Sequence, residues 1–360
     1  MRLILFFVFL FLIGLNVSWA QQQSGTQALR LAQSVYDQGR LHEVPDLINN
    51  NIDKFSKTEL ISAYRLLTLS YIYMEEPEKA DESMRKLIDT DHFYEPNPNV
   101  EPAEYVGLYK TFRTKPVFNW GIKFGGNFTV PLLNSIYYVL GDASGNGKYS
   151  TKFGFQAGFV FEKEIFNNVK SKFWKRMVFV PELLYSIRSY AYNNSIVLKN
   201  DSTGLGTSAA HQTYTFKQIA IDFNPVFQYK FGKPNSNTFI PYVGLGPGLT
   251  YTLSGGYTAV TTRASGGGKS GPNVASTALR KIVPSAIVSA GFKKRFNSVY
   301  VVVEARVQYA LMNAIAPSKR TVDELTFGYG LTPPSYKTLN FTVNAAIIIP
   351  QFKPRKLKLN

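Results

Sequence analysis

The sequence predicts an α plus membrane β protein: an eight-stranded antiparallel up-and-down barrel of the outer-membrane kind, preceded by a small α-helical repeat domain. Three observations carry this. Hydrophobicity has period two over eight long segments from residue 117 onward, and the links between those segments alternate long and short. Residues 26–93 instead carry apolar residues at three- and four-residue spacing.

Residues 1–20 read as a cleavable secretory signal. Met1 and Arg2 give a charged start, Leu3 to Leu15 an apolar run too short to span a bilayer, and Val17-Ser18-Trp19-Ala20 small residues where a signal peptidase cuts. The chain has no cysteine, which excludes disulfides and a lipid-attachment site. Beyond the signal no apolar run reaches the roughly 18 to 20 residues of a membrane helix, so only strands could span a bilayer. Lys plus Arg number 40 against 24 Asp plus Glu, but the cations are dispersed, and export argues against a nucleic-acid partner.

Residues 21–95 are expected to form a periplasmic helical domain. ELISAYRLLTLSYIYMEEPEKADESMRKLI resembles a tetratricopeptide repeat, with Tyr64, Leu67, Tyr71, Ala80, Met84 and Leu87 near packing positions and Glu75-Glu76-Pro77 at the turn. An earlier unit through Leu31, Val35, Gly39, Val44 and Ile48 aligns at an offset of about 36 residues. Two units are too few for a stable solenoid, so this head needs another surface. That resemblance implies a protein partner in the periplasm, with Tyr64 and Tyr71 on the contacting surface. Pro96, Pro98 and Pro102 stop the helices, and 96–116 reads as a linker holding one short helix around Tyr105, Leu108, Tyr109 and Phe112.

The barrel is placed at 117–352, with segments at about 117 to 130, 151 to 163, 174 to 190, 213 to 231, 238 to 253, 280 to 296, 298 to 311 and 336 to 350. Each covers the roughly 9 to 11 tilted residues that cross a bilayer. Long polar links follow the first, third, fifth and seventh, as outside loops do in outer-membrane barrels. One face holds Phe118, Trp120, Ile122, Phe124, Phe128, Phe153, Phe155, Phe159 and Phe161, and belongs against outer-membrane lipid. The opposite face holds Lys123, Glu162, Glu182, Arg188, Asp222, Lys293, Glu304 and Arg306, expected as a paired polar interior because eight strands leave room only for side chains. Residues 353–360 form a basic periplasmic tail. With it, Lys170, Lys172, Lys175, Arg176, Lys294, Arg295, Lys353 and Arg355 make a basic collar at the periplasmic rim.

On FNWGIKFGGNFT, on FIPYVGLGPGLTY at Phe239 to Tyr251, and on the final amphipathic strand, the body resembles the PorT-like outer-membrane β-barrels common in Bacteroidota, similar in architecture to the OmpA and OmpX barrels. The resemblance implies a barrel and no particular activity. It departs at the end, where Phe352 is followed by KPRKLKLN instead of closing the chain.

Motifs that could carry chemistry are weak. Gly141 to Ser150 has the wrong spacing for a phosphate loop, and Gly244, Gly246 and Gly248 share one strand face. His42, His92 and His211 lack metal-ligand spacing; His211 with Asp201 and Ser202 is the one place for a surface hydrolase. The expectation is a non-enzymatic barrel without metal or cofactor, anchoring a periplasmic interaction domain for envelope assembly or secretion. The alternatives are a narrow channel, a surface-loop adhesin, or a barrel hydrolase.

Overall fold

The structure, a computed structural model, describes residues 25–135, 147–166, 169–199, 207–232, 239–263, 268–275, 278–319 and 334–357. The expected signal at 1–20 lies outside them, as do Asp201, Ser202 and most of the Gly141 to Ser150 stretch. The chain divides into two compact units. One comprises Met1–Pro116 with Phe352–Asn360, the other Val117–Gln351.

The first unit is helical: α1 over 25–37, α2 Val44–Asn49, α3 Lys57–Tyr73, α4 Pro77–Thr90 and α5 Ala103–Lys110. Helix α3 starts at a capping box, in which Ser56 Oγ accepts the Glu59 N–H and the Glu59 carboxylate accepts the Ser56 N–H. Helices α1 and α3 end alike. Gly39 and Glu75 both take positive φ, and the N–H groups of residues 39 and 40, and of 75 and 76, return to carbonyls of the last helical turn. Helix α3 is apolar around much of its circumference because it serves two cores. Ala63, Leu66 and Leu67 pack with Val35, Val44 and Ile48, while Leu69 packs with Met84, Leu87, Ile88 and Tyr105.

The segment 96–116, expected as a linker, is part of this unit. Tyr105 is fully buried, and its hydroxyl lies 3.0 Å from that of Tyr94. Arg65 clamps Glu101 through Nε and Nη2 at 2.6 and 2.8 Å. The prolines stop helices without freeing the chain, because aromatic residues on either side of them supply the second core. The segment expected as a basic periplasmic tail also belongs here. Phe112 and Lys356 form an antiparallel bridge, the Leu357 N–H donates to Thr111 O at 2.7 Å, and Phe352 stacks on His92 at 4.7 Å between ring centres. Lys356 is ion-paired with Asp81.

The second unit is a closed ring of β1 Phe118–Ser135, β2 Lys148–Glu162, β3 Met177–Lys199, β4 Thr207–Lys230, β5 Ile240–Arg263, β7 Ile282–Phe296, β8 Val299–Ala310 and β9 Ser335–Gln351. Neighbours are antiparallel, and β1 closes on β9 from Phe118↔Gln351 upward. An additional strand, β6 Gly268–Ala275, pairs only with the far half of β5. The expected outside links at 191–212 and 254–279 are therefore largely strand. The β3–β4 ladder holds register to Lys199↔Thr207. There the strands have passed the length a bilayer requires, so nothing enforces an apolar face and the alternation that reveals a strand disappears.

Within the ring the two faces separate. Ile122, Phe124, Phe128, Phe155, Phe159, Leu245 and Val343 point outward and exposed, while their chain neighbours Lys123, Asn127, Gln156 and Asn344 are buried. Gly158 lets the wall curve: a Cβ there would lie 2.0 Å from the Leu183 carbonyl oxygen across the β2–β3 ladder.

Candidate functional site

The interior of the ring is the only place where ionisable side chains of the second unit are buried together among the described residues. Five cations, Lys123, Arg188, Lys230, Lys293 and Arg306, meet four carboxylates, Glu162, Glu182, Asp222 and Glu304. Period-two strands deliver them in strata, since each strand offers one inward side chain every second residue.

Nearest the end where β1 begins, Glu162 accepts from Lys293 at 2.5 Å, Lys230 at 3.2 Å and Asn119 at 2.9 Å. The Lys293 ammonium also lies 4.1 Å from the centre of the Tyr300 ring. The next stratum is a four-membered cluster. Arg306 donates to Glu182 at 2.6 and 2.8 Å and pairs with Glu304 at 2.9 Å. Lys123 bridges the same two carboxylates, and Tyr242 donates to Glu304 at 3.0 Å. Farther along, Asp222 accepts from Arg188 and Ser186, each at 2.7 Å, and from Thr250 at 2.5 Å. A cavity of about 20 Å³ beside Arg188, Gln218 and Gln308 has room for a single water molecule.

At the far end the interior turns apolar. Tyr190, Tyr214, Phe216, Tyr257 and Tyr336 pack with Leu279 and Ile315, which enter from the links after β6 and β8. Leu279 and Ile315 form an isolated bridge, and the Ala314 N–H donates to Tyr336 O at 2.8 Å, so these links are sewn into the plug. The Tyr190 and Tyr336 hydroxyls are hydrogen-bonded to each other.

The eight interior residues singled out from the sequence all lie in these strata, in three separate ion-paired groups centred on Glu162, on Glu182 with Glu304, and on Asp222. Lys230 was not among them. It shares the phase of Asp222, Asn224 and Gln228 on β4, so counting by twos finds it. The aromatic plug has the same phase signal on β3 and β4, masked because its residues are apolar on the face expected to be polar.

The other sequence candidates fare differently. Tyr64 and Tyr71 are half-buried against the core of α1, α2 and α3, so packing within the unit occupies much of both rings. The collar is split between units: Lys353 and Arg355 follow the tail into the helical unit, where their carbonyls accept from Arg113, while Lys170, Lys172, Lys175, Arg176, Lys294 and Arg295 stay with the ring. His92 Nδ1 donates to Ile88 O, 2.8 Å away, and the ring stacks on Phe352. His211 sits in β4 opposite Ser195 and Thr262. Among the described residues no group of His, Asp and Glu could hold a metal ion.

Each of the four carboxylates buried in the ring thus accepts from at least one cation, with Asn119, Tyr242, Ser186 and Thr250 as further donors, an arrangement suited to filling a narrow barrel. A family model for the outer membrane protein beta-barrel domain matches residues 112–316. Among solved structures, the chain is similar to Ail, the attachment invasion locus protein of Yersinia pestis in complex with the heparin analogue sucrose octasulfate. Identity is 13% over 64% of this chain and 99% of that one, with a TM-score of 0.24. It is also similar to the outer membrane protein OprG of Pseudomonas aeruginosa, at 13% identity over 66% of this chain and 98% of that one, with a TM-score of 0.28. No curated protein sequence matches the chain.

Proposed function

The chain belongs to the outer membrane protein beta-barrel domain family, and on that premise we propose that its barrel is a non-conducting, non-enzymatic anchor that holds the helical unit in the periplasm as a protein-interaction domain. The observation that carries this reading is that the helical unit is built from both ends of the chain. The chain leaves it at 116 and returns at 352, and the returning tail is bonded to residues 111–113 and to Asp81. A passive leader would need no such closure. A domain that must keep its shape under load from a partner gains from being tied to its barrel at two points.

The finer assignments belong to the same reading: the secretory signal at 1–20, the tetratricopeptide-like character of α1 to α4, and kinship with PorT-like barrels. Gly39 and Glu75 close equivalent helix ends 36 residues apart, which supports a repeated helix–turn–helix. Such pairs present surfaces to protein segments. Photo-crosslinking in cells tests it best from Leu31 and Tyr73, which are 53% and 49% exposed, unlike the half-buried Tyr64 and Tyr71. Recovery of one and the same envelope protein from both positions is the expected result; recovery of nothing specific from either would defeat the reading.

A further inference from the structure

The first short turn of the barrel, between β2 and β3, carries a feature that neither anchoring nor barrel closure uses. Its residues 169–176, VKSKFWKR, are all exposed and contain four cations and no carboxylate. None of Lys170, Lys172, Lys175 and Arg176 makes an ion pair among the described residues. Interleaved with them are Phe173 and Trp174, 53% and 43% exposed.

These rings are not scattered. A one-turn 3-10 helix at Trp174–Arg176 folds the turn back, so that Trp174 meets Phe166 at 4.9 Å and Phe173 stacks on Tyr229 at 5.0 Å between ring centres. Tyr229 in turn meets Phe231 at 5.3 Å. Tyr229 on β4 and Phe231 just beyond its end are in phase with the exposed Phe223 and Phe227. The aromatic patch is therefore the edge of the lipid-facing wall, and the four cations stand at that edge. Arg176 Nη1 reaches to 3.5 Å from the Tyr229 hydroxyl, which keeps its charge beside the ring belt.

We propose that this turn binds the phosphate head groups of anionic phospholipids in the adjoining leaflet, with the rings seated at the acyl boundary and Lys170, Lys172, Lys175 and Arg176 drawing anionic over zwitterionic lipid. Continuity with the outward wall commits the patch to a bilayer, because whatever covers Phe223 and Phe227 also covers Tyr229 and Phe173. Charge then selects among the lipids of that bilayer: four cations that make no ion pair among the described residues, in a turn whose one carboxylate is Glu164, attract phosphate head groups, and aromatic rings hold the segment at the depth where those head groups lie. The inference rests on the placement of the barrel in a membrane.

Trp174 reports on its own environment. In the full chain carrying Trp19→Phe and Trp120→Phe it is the sole indole, since the sequence has three tryptophans. The protein is reconstituted into phosphatidylcholine vesicles containing equal mole fractions of brominated phosphatidylglycerol or brominated phosphatidylcholine, and quenching is compared. The expected result is about fivefold stronger apparent association with the anionic lipid. The variant Lys170→Gln, Lys172→Gln, Lys175→Gln, Arg176→Gln should lose that preference and keep its quenching by brominated phosphatidylcholine. Equal quenching in the parent protein, or an unchanged preference in the variant, would overturn the proposal. Inorganic phosphate, against sodium chloride of matched ionic strength, should leave the preference intact; its abolition by phosphate alone would mean a soluble-anion site and also overturn it. If the fourfold variant does not fold, judged by heat-modifiable gel migration, the single exposed Lys172→Gln variant should still lower the preference, and no change there would count against the idea. Quenching by phosphatidylcholine in every case tests the membrane placement separately.

Discussion

Arg306 holds two buried carboxylates at once, Glu182 through two donors and Glu304 at 2.9 Å. Taking such charges out of water is costly, and the cluster is tolerable only because each oxygen finds a donor. Removing one partner is then worse than removing all. Arg306→Met would leave Glu182 and Glu304 sharing Lys123, and should lower the urea stability of the folded barrel by about 3–5 kcal/mol. Adding Glu182→Gln to that variant should recover part of the loss, because one stranded charge is gone. A loss under about 1 kcal/mol for Arg306→Met would mean that water reaches the cluster and solvates it. Residues of this kind were legible in the sequence because charge on one phase of a strand flanked by phenylalanine on the other has few explanations. Lys230 was legible by the same phase and was passed over at the strand end, where a lysine usually marks a rim. The plug residues Tyr190 and Tyr336 were not legible: an apolar ring on the inner phase looks the same as a slip in alternation, and only the closed ring shows that they face each other.

At the scale of elements, the strands were read where lipid imposes alternation and lost where it does not. The ends of β3, β4 and β5 rest on ladder pairings such as Ile196↔Ala210 and Thr213↔Val260, which long-range register supplies and local pattern cannot announce. The packing of the tail was not legible for a related reason. KPRKLKLN looks like a solvated basic extension, and its partners lie some 240 residues away in sequence, as the Arg113 to Lys353 contact illustrates. Truncation after Gln351 tests what the tail does. It removes the Phe352 ring contacts with His92 and Phe93, the backbone bonds to residues 111 and 113, and the Lys356 to Asp81 pair. With one aromatic cluster and a few partly exposed hydrogen bonds at stake, the helical unit should lose about 2 kcal/mol. Limited proteolysis of the refolded protein should accordingly cut earlier within residues 91–116, while the heat-modifiable migration of the barrel stays as it was. An unchanged cleavage rate would show that the tail merely rests on the unit.

For the whole molecule, the deciding question is whether the barrel is a conduit or a post. Eight strands enclose a space that side chains can fill, and here they fill it twice over by independent means. The aromatic plug of Tyr190, Tyr214, Phe216, Tyr257 and Tyr336 is stitched to Leu279 and Ile315, and beneath it the ion-paired strata occupy the section from Arg188 to Glu162. An ion crossing this interior would have to displace aromatic packing and then break apart buried ion pairs. The purified protein should therefore give no ion current in planar bilayers. Because the two barriers are in series, the double variant Tyr190→Gly, Tyr336→Gly should also remain silent: it opens the plug and leaves the charged strata in place. Current from the parent protein would defeat the anchoring proposal outright. Silence from the parent with current from the double variant would show instead that the tyrosines alone seal the lumen, and that the ion pairs beneath them line a latent path whose polar walls serve more than packing.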